Sequence, residues 1–179
     1  GERVLIGFMG CYAGVTALRT ARHIVRSEPG AVVLLVSVEL STLHLSLADA
    51  PEPLLAMLQF SDGAAAGIVS AAPHGLELGE GRSHAHEDSD DLIRWDIGDK
   101  GFEMTLSGEV PGRLRGALAD PEVQRELFGD DGAPPLLAVH AGGRSVLDAV
   151  EHALGADPHA LADSRSVLAR SGNMSSATI

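Results

Sequence analysis

The ten residues AVVLLVSVEL, Ala31 to Leu40, form the longest continuous apolar stretch that matters for the fold. A run of this kind reads as a strand covered on both faces. Just before it, Ala13, Ala17, Leu18, Ala21, Ile24 and Val25 recur at helical spacing between Tyr12 and Arg26. Such a stripe predicts an amphipathic helix. The EPG triplet at Glu28 to Gly30 ends that helix, because proline and glycine punctuate regular structure. A helix feeding a covered strand is the unit of an α/β fold.

The same alternation continues along the chain. Val4 to Phe8 is a short apolar run and predicts a buried strand. A short helix is expected over Pro53 to Leu58, then a turn at Asp62-Gly63 and a strand of small residues. Gly75 to Asp91 is polar and reads as a loop. Leu92 to Ile97 and Phe102 to Leu106 predict a strand pair around GDKG. VPG opens a helix with proline in its first turn, where the missing N–H costs nothing. Leu136 to Val139 reads as a strand. Val146, Leu147, Val150 and Leu154 mark a helix face, and another helix follows Pro158. The chain opens directly in an apolar run and stops at SSATI, as if a strand were starting; a segment of a longer protein is expected.

Composition narrows the function. The 179 residues include 25 acids against 13 bases, a net charge of -12. Nucleic acid as the main partner is excluded by that balance, since phosphate binding needs a basic surface. No apolar run approaches the roughly 20 residues of a membrane span. One cysteine makes no internal disulfide, so nothing calls for an oxidising compartment, and the cytoplasm is expected.

That cysteine, Cys11 in GFMGCYAG, falls where a strand is expected to end and a helix to begin. Helix N-terminal N–H groups lower a thiol pKa, and the thiolate is the nucleophile. A lone cysteine is also commonly a small buried apolar residue. Among eight histidines, His140 stands out, because it follows LLAV and precedes AGG and a helix. That is the C-terminal end of an expected strand, where α/β folds place clefts. Asn173 in SGNMSSA lies in a tight polar turn, and its amide can donate to a developing oxyanion. Cysteine, histidine and asparagine together suit covalent acyl chemistry. HAHEDSDD, His84 to Asp91, has metal-ligand residue types without a metal-site spacing and reads as a solvated acidic loop. Asp62 is expected to serve its turn through its side chain rather than to move protons.

Taken together, GCYAG, FSDGAAAGIVSA, GFEMTLSGEVPG, VHAGGRSVLDAVEHAL and SGNMSSA resemble, in order and spacing, the type III polyketide synthases, the chalcone synthase-like enzymes. HAGG and GNMSS favour this family over the β-ketoacyl synthase III group, which shares the Cys-His-Asn set. The resemblance implies a thiolase-like layered αβαβα fold, here partial. Residues 1–78 would end the N-terminal half and 79–179 make up most of the C-terminal half. It implies a homodimer that uses acyl-coenzyme A and malonyl-coenzyme A as substrates, with no permanently bound cofactor and no metal.

By position, Cys11 resembles the acyl-accepting nucleophile, and His140 and Asn173 its catalytic partners. Phe60 resembles a gatekeeper of the channel to the cavity. Met104 falls where a second gatekeeper phenylalanine stands in the family, with Phe102 two residues away, and His44 falls on a cavity-lining position. Gly142 and Gly143 are implied to border the coenzyme A tunnel. Two motifs depart from the family pattern. Ala141 replaces proline after the histidine, and the Gly-Asp-Gly turn reads Ser61-Asp62-Gly63. GFMGCYA and ELSTLHL are most similar to bacterial members that make alkylpyrones or alkylresorcinols. A papain-type Cys-His-Asn hydrolase and an inert fragment are the rival readings.

Overall fold

The computed structural model describes residues 1–45, 51–99 and 101–179. A three-residue 3-10 turn, Gly10–Tyr12, leads into helix α1, Ala13–Ser27. Helix α1 buries Gly14, Ala21 and Val25, so the helical stripe was a true packing face. Strand β1, Val32–Glu39, follows, then a 3-10 turn, Ser41–His44, helix α2, Pro51–Leu58, and strand β2, Gly63–Ser70. Strands β1 and β2 pair antiparallel, from Val32 opposite Ser70 to Glu39 opposite Gly63. Only one face of β1 is covered. Residues along it alternate exposed and half-buried, with Val32, Leu34, Val36 and Val38 outward. The expectation of a strand covered on both faces is corrected, because α1 packs on one side alone among the described elements.

Strands β3, Ile93–Gly98, and β4, Gly101–Leu106, form the second antiparallel pair. Their register sets Trp95 opposite Met104 and Ile97 opposite Phe102. Alternation then puts these four on one face and Arg94, Asp96 and Glu103 on the other. Helix α3, Val110–Ala119, starts with proline in its first turn. Helix α4, Pro121–Phe128, was not anticipated. Its signal is DPE: the Asp120 carboxylate accepts from Glu122 N at 2.8 Å, and Pro121 opens the helix.

Helices α5, Arg144–Leu154, and α6, Ala162–Ser171, complete the set. Leu118, Ala141, Leu147, Val150, Ala160 and Leu161 form the main core, with Leu147 and Leu161 fully enclosed. Each such leucine gains about 1.5–3 kcal/mol by leaving water. Arg165 on α6 ties to Asp148 and Glu151 on α5 at 2.8 and 2.7 Å.

Three expected strands do not form. Val4 to Phe8 runs without regular structure, with Leu5 95% and Phe8 98% exposed. A strand needs a neighbour for its N–H and C=O groups, and none of the described strands lies beside it. Leu136 to Val139 has its backbone satisfied otherwise. Leu137 N donates to Ala160 O at 3.1 Å and Val139 N to the Ser164 hydroxyl at 2.9 Å. The closing SSATI turns into a 3-10 helix, Ser175–Ala177, instead of starting a strand.

Candidate active site

Cys11 sits in the 3-10 turn before α1, and the closing turn Ser175–Ala177 packs against it. The approach is close. A Cβ at Gly14 would come within 2.6 Å of the Ser176 carbonyl oxygen, so only glycine lets the two backbones meet. Burial pushes the Cys11 thiol above its ordinary range. The hydrogen bond with the Ser175 side chain pulls it down, the Glu39 charge pushes it up, and its own backbone N–H pulls it down. The net direction is upward. The expected lowering at a helix start is therefore corrected: desolvation of the sulfur outweighs the nearby N–H groups.

Glu39 is the lone charge in AVVLLVSVEL. Its carboxylate accepts hydrogen bonds from the Ser176 hydroxyl and from Ser176 N, the latter at 3.3 Å. The Ser37 hydroxyl reaches the Ser176 hydroxyl at 2.6 Å. Sequence reasoning missed Glu39, Ser37, Ser175 and Ser176 as site neighbours. An acid on the covered face of an apolar strand was the available signal.

Asn173 is 3% exposed, and both ends of its amide are bonded. Its Nδ2 donates to Gly142 O at 3.1 Å, and its Oδ1 accepts from Ser175 N at 2.9 Å. Ser175 adopts a φ of 51°, unusual outside glycine, and this bend returns its N–H to Asn173. Gly142 N donates to His140 O at 2.9 Å. Neither ring nitrogen of His140 has a hydrogen-bond partner, although both are buried. Burial lowers the imidazole pKa, so the ring is neutral at pH 7. Ala141, where the family pattern has proline, is fully buried.

The contacts run without a gap from Cys11 to Ser175, Asn173, Gly142 and His140. These pairwise contacts link the three segments that carry Cys11, Asn173 and His140. Phe60 joins them through a backbone bridge with Asn173, and Ser61 N donates to Asn173 O at 2.9 Å. Gly142 and Gly143 line a cleft of about 530 Å³ with Gln59, Arg144, Asp148 and Asn173. Met104 and His44 lie elsewhere on the same side of the hairpin. The His44 ring packs 5.6 Å from Trp95, Met104's cross-strand partner, and 6.2 Å from Phe102. Asp62 accepts from Thr42 N at 2.8 Å and Thr42 Oγ1 at 2.6 Å. It therefore holds the Ser41–His44 turn rather than only its own. Those two bonds lower its carboxyl pKa. Among the described residues, no cluster of His, Cys, Asp or Glu is arranged to hold a metal ion. Among them too, no helix is long and apolar enough to cross a membrane.

The backbone superimposes on 1,3,6,8-tetrahydroxynaphthalene synthase from Streptomyces coelicolor, a bacterial type III polyketide synthase, with a TM-score of 0.85 and 29% identity. The match covers 97% of this chain and 51% of that one. The fold is thus the thiolase-like one of these synthases, in part. Residues 1–73 match the family model of chalcone and stilbene synthases, N-terminal domain, and residues 83–179 the C-terminal domain. The chain belongs to the chalcone and stilbene synthase family of type III polyketide synthases. The comparisons favour that family over the β-ketoacyl synthase III group.

Relatives include an alpha-pyrone synthesis polyketide synthase-like protein of Mycobacterium tuberculosis, 31% identical over 99% of this chain and 48% of its own. Another is bisdemethoxycurcumin synthase of Oryza sativa, 35% identical over the same shares. The chain spans about half the length of these relatives, and 6% of polyketide synthase 37 of Dictyostelium discoideum.

Proposed function

We propose that this protein is a type III polyketide synthase that condenses malonyl-coenzyme A units onto an acyl starter held on Cys11. The observation that carries this reading is the buried, unpartnered His140 ring, joined through Gly142 and Asn173 to the Cys11 turn. A buried imidazole with two free nitrogens is costly unless a ligand uses it.

In this scheme the neutral His140 takes the proton of the Cys11 thiol as acyl-coenzyme A arrives. The sulfur attacks the acyl carbonyl, the carbon–sulfur bond to coenzyme A breaks, and His140 returns the proton to the leaving thiolate. Malonyl-coenzyme A then loses carbon dioxide, leaving an enolate whose oxygen bears the charge. His140 and the second Nδ2 proton of Asn173 donate to that oxygen. The carbanion attacks the Cys11 thioester carbonyl, the carbon–sulfur bond to Cys11 breaks, and the extended chain, now on coenzyme A, passes back to the Cys11 sulfur with release of coenzyme A thiol for the next round. Gly142 and Gly143 would border the coenzyme A arm in the cleft at the start of α5. Phe60 and Met104 would flank the path to the growing chain. The relative named for alpha-pyrone synthesis supports an alkylpyrone-type product, with an alkylresorcinol-type product as the alternative. A cytoplasmic homodimer is part of the proposal, tested by sedimentation and fractionation.

Intact-protein mass spectrometry after incubation with acyl-coenzyme A is the direct test. Loading that disappears in Cys11→Ala supports the reading. Loading that persists at another residue sinks it.

A further inference from the structure

On the Trp95–Phe102 side of the hairpin lies a second imidazole that the scheme leaves unused. His44 is exposed, and its ring rests on Trp95 at 5.6 Å and Phe102 at 6.2 Å, which pack on each other at 6.1 Å. Phe8, three residues before Cys11, reaches the same cluster, 6.4 Å from Phe102. Aromatic residues are 3% of this chain, and two of them, Trp95 and Phe102, pack on this one histidine. No described residue hydrogen-bonds either ring nitrogen of His44.

The turn that carries His44 is fixed at two points to the active site. Glu39, five residues earlier, binds Ser176 and acts on the Cys11 thiol. Asp62 clamps Thr42 twice, next to Ser61, whose N–H bonds Asn173 O. The ring is therefore positioned by aromatic faces, while its nitrogens stay open. The charged residues within the two paired strands, Arg94, Asp96 and Glu103, stand on the opposite face, and Asp62 is occupied with Thr42.

We infer that His44 is a further catalytic residue, the base that closes the product ring by lactone formation. This rests on the polyketide synthase reading above. Once the Cys11-bound chain carries the needed keto groups, its terminal enol O–H lies along the Trp95–Phe102 face. His44 takes the enol proton, and the enol oxygen attacks the thioester carbonyl. The carbon–sulfur bond to Cys11 breaks, and the proton passes to the departing sulfur. The products are a six-membered lactone and the free Cys11 thiol, with no oxidant or other reactant.

The experiment measures, in the full-length protein, lactone and linear acid released per carbon dioxide evolved. Counting per carbon dioxide removes any change in overall rate. His44→Phe keeps a flat ring between Trp95 and Phe102 but has no nitrogen; His44→Gln keeps polarity at a similar size. Both are expected to lower the lactone-to-acid ratio at least tenfold. An unchanged ratio in both variants overturns the inference while leaving the synthase reading intact. So does a wild-type product closed only through carbon–carbon bonds. Absence of Cys11 loading and carbon dioxide release in the wild type overturns the synthase reading, and this inference with it.

Discussion

Asn173 donates from Nδ2 to the carbonyl of Gly142 at 3.1 Å, two residues beyond His140. One side chain thereby sets where the His140–Gly142 segment stands relative to the closing turn. The same amide anchors Ser175 N through Oδ1, so it organises the thiol's neighbour as well.

Asn173→Ala should remove both roles. Malonyl-coenzyme A decarboxylation is expected to fall roughly 10²–10³-fold, as for a lost oxyanion donor. Stability should drop by about 1–3 kcal/mol, because two buried backbone groups lose their partner. Carbon dioxide release and denaturant unfolding read the two effects separately.

The thiol of Cys11 answers to opposing neighbours. Glu39→Gln removes a charge that raises its pKa, so alkylation by iodoacetamide at neutral pH should speed up. Ser175→Ala removes the hydrogen bond that lowers it, so alkylation should slow. Rate against pH for both variants checks the sign: the alkylation midpoint moves down in the first and up in the second.

His140 contributes a stability slope. Its folded pKa lies below the ordinary imidazole value because of burial. The unfolded chain then binds more protons in the window between the two values. The contribution is present above the ordinary value and is lost as pH falls through the folded one. His140→Gln should remove that loss, seen as a smaller decline in melting temperature toward acid pH.

Gly14→Ala tests the close approach of α1 to the closing turn. Its Cβ would stand 2.6 Å from Ser176 O, a backbone atom that cannot rotate away. A cost of about 1–3 kcal/mol is expected. Slower acyl loading of Cys11 should accompany it, although residue 14 touches no reacting group. Thermal unfolding and loading kinetics measure the two.

Periodic segments were readable in advance. Helices α1 and α5 each carry a hydrophobic period that packing later used, and the hairpin β3–β4 pairs around GDKG as expected. Val4 to Phe8 and Leu136 to Val139 misled because apolar content does not supply a ladder partner. In the second case a serine hydroxyl on another helix stands in for one. Cys11, His140 and Asn173 were visible through their motifs. Glu39 and Ser175 were not, because their closeness to the thiol depends on the antiparallel pairing and on one bent serine.

The Ser164 hydroxyl on α6 receives Val139 N, one residue before His140, and the same helix ends at Ser171, two residues before Asn173. A single ten-residue rod is thus the spacer bar between the two groups that would grip the enolate. Tilting that bar by repacking Leu168 against the core would widen or narrow the grip from a distance, giving selection a tuning screw outside the chemistry.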